Sequence, residues 1–249
     1  MRLQNIADRI FYKINSIKIK KYRENVPLHE STTFVMDNNQ WLDPVITNTE
    51  SFVKNINSKE TIKAVRDIQK KLSPDKWVEF VDKFYEKGLS SLDDNWHYAD
   101  IMTTLYGIVK TIKIKSYLEI GVRRGRSMAV VASQIKDCYL LGFDMWLDNY
   151  AGIEDANPGP DFVKQELEKV GFNGKLNLIS GDSRITVPKY FKDNPEQYFD
   201  LITVDGDHSS KGATIDLNNV IPRLKIGGLL VLDDIDNPNH MALKKVWNK

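Results

Sequence analysis

The chain lacks the features of a secreted or membrane-embedded protein. Its one cysteine, Cys138, cannot form a disulfide within the chain, and a single thiol without a histidine nearby is a poor nucleophile. No apolar run approaches the roughly 18 residues that a membrane span needs, and no apolar signal region followed by small residues opens the chain. We therefore expect a cytoplasmic protein in which Cys138 is a small core residue.

The chain also lacks an excess of charge of either sign. Its 35 Lys and Arg residues balance 34 Asp and Glu residues, so the formal net charge is +1. This balance gives no indication of a nucleic-acid partner. A length of 249 residues, without repeats or low-complexity tracts, allows one large domain or a main domain with an appendage, and we favour the second.

The appendage is predicted to span residues 1–94, ahead of a main domain at 95–249. Its first 23 residues carry seven basic residues against one acidic residue, and apolar residues recur at helical spacing. These apolar residues are Leu3, Ile6, Ile10, Ile14 and Ile17. The pattern predicts a basic amphipathic helix, which packs on its own domain or on a partner subunit, or alternatively lies on an anionic membrane surface.

After this helix, residues 24–57 are predicted to be irregular, with a short strand near Thr33–Met36. Ser73-Pro74-Asp75 then has the composition of a helix start, with an N-cap, a proline suited to the first helical position and an acidic first turn. Gly88 follows the amphipathic stretch Trp77–Lys87 as a C-cap. This segment is therefore predicted to be a helix.

A further helix is predicted from about Asn95 to Lys113, started by Asp93 or Asp94. Its apolar residues recur at helical spacing and are expected to face the core. They are Ile101, Leu105, Ile108 and Ile112.

From Ser116 onward, short apolar runs alternate with helical segments. Five such runs predict buried strands at Tyr117–Val122, Tyr139–Met145, Leu176–Ser180, Phe199–Val204 and Leu229–Leu232. Buried strands that alternate with helices predict an α/β fold with a doubly wound, mostly parallel sheet. In such sheets ligands bind beyond the carboxyl ends of the strands, near the switch in strand order.

Each predicted strand ends at or near a carboxylate. These residues are Glu119, Asp144, Asp182, Asp205 and the pair Asp233-Asp234. A single Asp at a strand end often caps the next helix or turn. Several carboxylates at one edge raise one another's pKa and oppose folding, so the arrangement favours a site for polar or cationic ligands that neutralise it.

The first strand leads into the pattern Glu119-x-Gly121-x-x-x-Gly125. Gly121 permits a sharp turn, and Gly125 allows the next helix to begin close to a ligand. Arg123 stands where a dinucleotide-binding fingerprint needs its second glycine, which counts against a bound pyrophosphate. The pattern resembles the first motif of the class I, S-adenosylmethionine-dependent methyltransferases.

That resemblance implies a Rossmann-like sheet and assigns positions around the cofactor. Glu119 would help to hold the methionine end, Asp144 would accept hydrogen bonds from the ribose hydroxyls, and the turn at Asp182 and Ser183 would contact the adenine. The cofactor-binding residues that we infer are Glu119, Gly121, Gly125, Ser127, Asp144, Met145, Trp146, Asp182, Ser183 and Asp205.

The segments at 199–208 and 223–234 resemble a metal-dependent subgroup of small-molecule O-methyltransferases that includes antibiotic-sugar enzymes. The resemblance implies a divalent ion held by Asp205, Asp233 and Asp234, and oxygen-only ligands suit Mg²⁺. Without a metal, Asp233 and Asp234 would instead cap a turn. The proton acceptor is predicted to be His208 first and Asp207 second, with Asp205 beside them. His29, His97 and His240 show no ligand spacing and are assigned no chemistry.

Two features of the second half remain open. Trp146 and Tyr150 belong to a turn-rich loop at 146–161, where they either stack on an adenine or sugar face or anchor the loop. Class I methyltransferases usually add a helix and a final antiparallel strand pair after the fifth strand, whereas here only Asn239–Lys249 remains after the turn at Pro238, enough for one short helix. An uncovered edge strand favours a homo-oligomer in which a second subunit covers it.

Together these features predict transfer of a methyl group from S-adenosylmethionine to a hydroxyl of a small molecule. The acceptor is expected to be a sugar or saccharide-containing metabolite, with Mg²⁺ assisting. The alternatives are a metal-independent N- or O-methyltransferase and a non-catalytic protein that binds the cofactor. A nicotinamide oxidoreductase is the more distant alternative.

Overall fold

The computed structural model of the protein describes residues 49–148 and 159–248. The basic amphipathic helix, the strand near Thr33–Met36 and Tyr150 lie outside the described residues. Within them, no helix is long and apolar enough to cross a membrane. Cys138 is buried, as predicted, and burial raises the pKa of its thiol to about 12.

The centre of the fold is a five-stranded sheet. Its strands are β1 Ser116–Ile120, β2 Tyr139–Asp144, β3 Leu176–Ser180, β4 Phe199–Val204 and β5 Leu224–Leu232. They are ordered β3-β2-β1-β4-β5, and each pairs in parallel with its neighbours. The prediction of a doubly wound, Rossmann-like parallel sheet is therefore confirmed, with the switch in strand order between β1 and β4.

Helices precede the sheet and alternate with its strands. In the described residues they are α1 Thr49–Ile56, α2 Lys59–Gln69, α3 Lys76–Leu92, α4 Ile101–Thr111, α5 Arg126–Gln134, α6 Pro160–Lys169, α7 Ser183–Asp193, α8 Ser210–Val220 and α9 Met241–Trp247. Thr49–Ile56 was predicted to be irregular and is helical instead. The part of the chain that the structure describes also has three short 3₁₀ turns, at Asp93–Asn95, Ile221–Arg223 and Pro238–His240.

Two apolar clusters cover the two faces of the sheet. One combines buried residues of α4, α5 and α6, such as Leu105, Met128 and Val163. The other combines buried residues of α7, α8 and α9, and includes Phe191 and Leu243. Helices on both faces explain why the strands of this sheet are largely apolar.

The helices before residue 95 pack against this core. Ile68 and Leu72 belong to the same apolar cluster as α4, α5 and α6. The Asp75 carboxylate forms ion pairs with Arg126 at 2.5 Å and with Arg124 at 3.1 Å. The division into residues 1–94 and 95–249 stays a prediction, but the described part of the first segment shares buried contacts with the second.

The predicted starts of two helices are wrong. Asp75, not Ser73, caps α3, because its carboxylate accepts a hydrogen bond from the amide of Val78 at 2.8 Å. The helix also continues through Gly88 to Leu92, and a Cβ atom at Gly88 would overlap the ring of Trp96. That glycine is therefore a packing residue rather than a C-cap.

The helix predicted from Asn95 begins later, at Ile101. Asp100 is its N-cap, and Thr103 completes a reciprocal capping box. Asp93, which was one of the two predicted starts, opens the 3₁₀ turn instead. Leu105 and Ile108 are buried as predicted. Capping signals in a segment with several aspartates therefore identified the helix but not its first residue.

The last strand begins at Leu224, five residues before its predicted start. The pairing register between β4 and β5 shifts between Phe199 and Leu201. Gly227 and Gly228, which resemble a turn in the sequence, lie at this irregularity inside the strand. In the described residues β5 is an edge strand of the sheet, so its cover by a second subunit stays a prediction.

Candidate active site

The candidate site lies at the edge of the sheet where the strands end. Hydrogen bonds between strands continue past these ends. The amide of Asp205 donates to the carbonyl of Ile120 at 2.8 Å, and the amide of Asp233 donates to the carbonyl of Val204 at 3.1 Å. The first residues after β1, β4 and β5 are therefore side by side, at the switch in strand order.

Gly121 forms the turn after β1, with a φ of +91°. A Cβ atom at this position would overlap the carbonyl oxygen of Asp205. Glycine is therefore required because the turn touches the loop after β4. Gly125 is the N-cap of α5, has a φ of +72° and lies against Val163. Gly121 thus permits close contact with the backbone after β4, and Gly125 permits close contact with a side chain of α6, at the edge where the cofactor is expected.

Glu119 is fully buried in β1. One of its carboxylate oxygens accepts a hydrogen bond from the Ser127 hydroxyl, and the other accepts one from the Tyr117 hydroxyl at 3.0 Å. Burial raises the pKa of Glu119 to about 8, the two hydroxyl hydrogen bonds oppose that rise, and the charges of Asp205 and Asp144 add to it. The Glu119 carboxyl group is therefore mostly protonated, and so uncharged, at pH 7.

Asp144 joins two turns at this edge. Its carboxylate accepts hydrogen bonds from the amides of Arg123 at 2.7 Å and Trp146 at 2.6 Å. The Trp146 indole donates to the Ser180 hydroxyl at 2.8 Å, which supports a role as an anchor of its loop. The neighbouring Met145 side chain is 53% exposed. Stacking of Trp146 on a ligand stays a prediction.

Asp182 and Ser183 lie at the end of β3, which β2 separates from β1. Asp182 caps α7 by accepting a hydrogen bond from the Arg184 amide at 2.9 Å, and it forms an ion pair with the Arg184 guanidinium at 2.6 Å. The hydrogen bond from the Arg184 side chain lowers the pKa of Asp182. This predicted adenine contact is therefore at the far side of the edge, away from β4 and β5.

The structure brings Asp205 and His208 together. His208 Nε2 lies 3.3 Å from Asp205 Oδ1 and 3.6 Å from Asp234 Oδ2. The hydrogen bond with Asp205 raises the pKa of His208, whereas burial opposes that rise. Burial raises the pKa of Asp205, and His208 opposes it. The imidazole is therefore a stronger proton acceptor than an isolated histidine.

Asp207, the second predicted base, has a different position. Its carboxylate accepts a hydrogen bond from the Ser209 amide at 2.8 Å. It also lies against Gly212, in the first turn of α8. Asp207 is thus engaged with the start of that helix rather than with His208.

Asp233 belongs to the predicted metal set and has a raised pKa. Burial raises its pKa to about 7, and the charges of Asp205 and Asp234 add to the rise. Tyr98, from the segment before α4, lies within electrostatic reach of Asp233, which adds to the effect of burial in raising the pKa of the tyrosine. The N-terminal half of the chain therefore contributes a side chain to this region.

His240, to which the sequence assigns no chemistry, lies beside the candidate site residues. Its Nε2 lies 3.6 Å from Asp234 Oδ2, and its ring centroid is 4.3 Å from that of His208. In the described residues, the set whose ligand atoms all lie within 4.8 Å of one another is His208, Asp234 and His240, not the three predicted carboxylates. The Asn237-Pro238 turn was the available signal, because it folds the chain back after β5.

Several solved structures are similar to the chain. The TDP-rhamnose 3'-O-methyltransferase CalS11 of calicheamicin biosynthesis is 22% identical, covering 76% of this chain and 83% of that chain with a TM-score of 0.47. The O-methyltransferase TomG from Streptomyces achromogenes, involved in tomaymycin synthesis, is 15% identical, covering 86% of each chain with a TM-score of 0.46. An O-methyltransferase from Bacillus cereus is 13% identical, covering 79% and 82% with a TM-score of 0.47. No curated protein matches the chain.

A family model described as a methyltransferase domain matches residues 118–235. The matched segment begins in β1 and ends just after β5, so it spans the sheet and all of the strand-end carboxylates. It also includes the Gly121 turn and the Asp205–His208 pair. Residues 118–235 therefore match a methyltransferase domain, and the sheet that they form is the parallel, doubly wound sheet expected from the sequence.

Proposed function

We propose that this methyltransferase transfers the methyl group to a hydroxyl of a small molecule, with a sugar or saccharide-containing metabolite as the acceptor. The observation that carries the proposal is the Asp205–His208 pair, 3.3 Å apart beside the Gly121 turn. A hydroxyl must lose its proton to become a good nucleophile, whereas a neutral amine attacks without prior deprotonation. A paired base at this edge therefore favours an oxygen acceptor.

The cofactor would lie along the strand ends from β1 to β3. Glu119, Gly121, Gly125 and Ser127 would surround its methionine end, and Asp144, Met145 and Trp146 would face the ribose. Asp182 and Ser183 would contact the adenine. The hydrogen bonds of Asp144 to two turn amides support this placement, because they fix a carboxylate that retains lone pairs for ribose hydroxyls.

Once the cofactor is bound, the chain's own residues have two tasks. The cofactor already carries an activated methyl group, so the protein must align the acceptor oxygen with it and remove the hydroxyl proton. The Asp205–His208 pair is the proton acceptor. Because the hydrogen bond to Asp205 raises the pKa of His208, the pair retains a proton more readily than imidazole alone.

A divalent ion at Asp205, Asp233 and Asp234 is part of the proposal, as Mg²⁺ in the first instance. These residues fit a cation, because burial and mutual repulsion raise the pKa of Asp233 to about 7 and a bound positive charge would relieve that repulsion. A divalent ion bound there would lower the pKa of the acceptor hydroxyl and fix its orientation.

The test is methyl transfer by the purified chain to matched pairs of acceptors, sugars and their amino analogues, with products identified by mass. We expect methylation of the hydroxyl compounds. His208→Ala should reduce turnover about 100-fold or more while S-adenosylhomocysteine binding is retained, and His97→Ala is the matched control. Methylation of amines alone would overturn the oxygen acceptor, and cofactor binding without transfer to any acceptor would identify a non-catalytic protein. Full turnover in EDTA would remove the metal from the proposal.

A further inference from the structure

Three side chains from separate parts of the chain converge at the carboxyl edge of the sheet. His208 follows β4, Asp234 follows β5, and His240 ends the 3₁₀ turn before α9. Their ligand atoms all lie within 4.8 Å of one another. Each of the three side chains is about one quarter to one third exposed, so an ion can reach them from solvent.

The distances in this group are too long for hydrogen bonds. The Nε2 atoms of His208 and His240 are each 3.6 Å from the same Asp234 Oδ2, whereas N–H···O bonds are usually about 2.7–3.2 Å long. Two ligands that are each about 2.0–2.1 Å from a tetrahedral ion are separated by roughly 3.4 Å. Two of the three separations therefore match those of ligands around an ion, and the whole group lies within 4.8 Å.

The Asp234 carboxylate is oriented for this arrangement. The side-chain amide of Asn237 donates to its other oxygen, Oδ1, at 2.9 Å. That bond leaves Oδ2 facing the two imidazoles, as outer partners commonly orient the ligands of metal sites. Asp234 itself has a φ of +59°, a conformation that Asp and Asn tolerate better than most residues.

The surrounding charge also favours a cation. Asp205 and Asp233 add two carboxylates to the region, and Arg123 is the cation that acts on Asp205. Two imidazole nitrogens distinguish the set from an oxygen-only site. Mg²⁺ prefers oxygen ligands and retains several waters, whereas imidazole suits first-row transition metals.

We propose that His208, Asp234 and His240 form a site for a divalent transition metal, and that the two imidazoles select such an ion over Mg²⁺. Two histidines and one carboxylate are a known ligand set for iron(II) and also suit zinc. The role of the ion rests on the proposed function, because the ion would bind beside the acceptor hydroxyl of the methyl transfer. With this ion bound, His208 is a ligand instead of part of the base, the ion takes the place of Mg²⁺ at the three carboxylates, and the Asp205 carboxylate is left to accept the proton.

The experiment is metal binding to the full chain after removal of metals by a chelator and exchange into metal-free buffer. Co²⁺ is titrated, and its visible absorption reports nitrogen ligands directly. Zn²⁺ and Mg²⁺ then compete with it. We expect one Co²⁺ per chain and displacement of Co²⁺ by equimolar Zn²⁺. The affinity for Mg²⁺ should be at least about 100-fold lower than the affinity for Co²⁺.

His240→Ala is expected to weaken Co²⁺ binding by about 100-fold, whereas His97→Ala, at an exposed histidine outside the group, should leave it unchanged. Asp234→Asn keeps the backbone conformation and removes the charge, so it provides a second variant if His240→Ala misfolds. Displacement of Co²⁺ by equal concentrations of Mg²⁺, or His240→Ala binding Co²⁺ as tightly as His97→Ala does, would overturn the inference.

The readout separates this inference from the proposed function. Co²⁺ binding that depends on His240 supports the metal site even when no acceptor is methylated, in which case only the proposed transfer fails. Conversely, hydroxyl methylation by a chain that fails the Co²⁺ titration retains the transfer and removes the metal site.

Discussion

At the scale of single residues, the buried carboxylate of Glu119 has the clearest energetic consequence. An exposed glutamate titrates near pH 4.3, whereas burial raises the pKa of Glu119 to about 8 in the folded chain. Between these two values the folded state keeps a proton that the unfolded state has lost. Stability from this residue is therefore present at low pH and is lost as the pH rises toward 8.

Glu119→Gln should remove that dependence. Glutamine has nearly the same shape and carries no charge, so at pH 8 we expect the variant to be more stable than the wild type by about 1–3 kcal/mol. Near pH 4 the two proteins should differ little. Urea unfolding at several pH values measures this, with Glu168→Gln as an exposed control. Parallel curves for wild type and Glu119→Gln would contradict the raised pKa.

Gly121 permits a sharper test of backbone packing at the site. Gly121→Ala places a Cβ atom on the Asp205 carbonyl oxygen and forces alanine into a φ of +91°, so we expect a loss of about 3 kcal/mol or more. Gly159→Ala is the matched control, because no described residue lies within 4 Å of its added Cβ and its φ of −178° is extended backbone. Equal losses in the two variants would contradict the contact between the β1 turn and Asp205.

Sequence and structure agree best on residues that follow strands directly. Asp205 and Asp233 were predictable because a parallel sheet places strand ends at one edge. His240 was not, since it reaches Asp234 only through the Asn237–Pro238 turn, and turn geometry decides that contact. The role of Asp207 as second base stays a prediction, and its carboxylate accepts a hydrogen bond from the Ser209 amide.

At the scale of secondary structure, strands were more predictable than helix ends. β2, β3 and β4 were located to within a residue, because continuous apolar runs mark strands that are buried on both faces. The start of α4 was misplaced because several aspartates precede it and only Asp100 forms a capping box. The cap that forms depends on how the preceding segment packs, which is a tertiary effect.

Asp75 connects α3 with α5. It caps α3 and forms ion pairs with two buried arginines, Arg124 in the turn before α5 and Arg126 at the first residue of α5. Asp75→Asn keeps a capping side chain but removes the charge. Arg124 and Arg126 would then lack their buried counter-charge, so we expect a loss of about 3–5 kcal/mol in the free energy of unfolding. Denaturant unfolding at neutral pH measures this loss.

The control for that substitution is Asp82→Asn. Asp82 also pairs with an arginine, Arg66, at 2.7 Å, but its side chain is 31% exposed. We expect a loss of about 1 kcal/mol or less, because exposed ion pairs contribute little. If both variants lost the same stability, the Asp75 pairs would not behave as buried charges.

At the scale of the whole molecule, one apolar core includes residues on both sides of the predicted domain boundary at residue 95. Ile68 and Leu72 precede it and are buried in the same cluster as Leu105 and Met128, which follow it. The Ser73 hydroxyl also donates to Glu166 of α6 at 2.8 Å. The described helices before residue 95 thus pack on α4 and α5, which cover one face of the sheet, and their removal exposes α4 and α5.

This arrangement predicts that residues 95–249 do not fold alone. The fragment would expose the apolar surface that Ile68 and Leu72 cover and would leave Arg126 without Asp75, so we expect no cooperative thermal transition and no S-adenosylhomocysteine binding. In the full chain, Leu72→Ala should cost about 2–5 kcal/mol, whereas Leu92→Ala, at a half-exposed position, should cost far less. A fragment that melts cooperatively and binds the cofactor product as tightly as the full chain would establish residue 95 as a true domain boundary, with the packing of α2 and α3 on it dispensable for the fold.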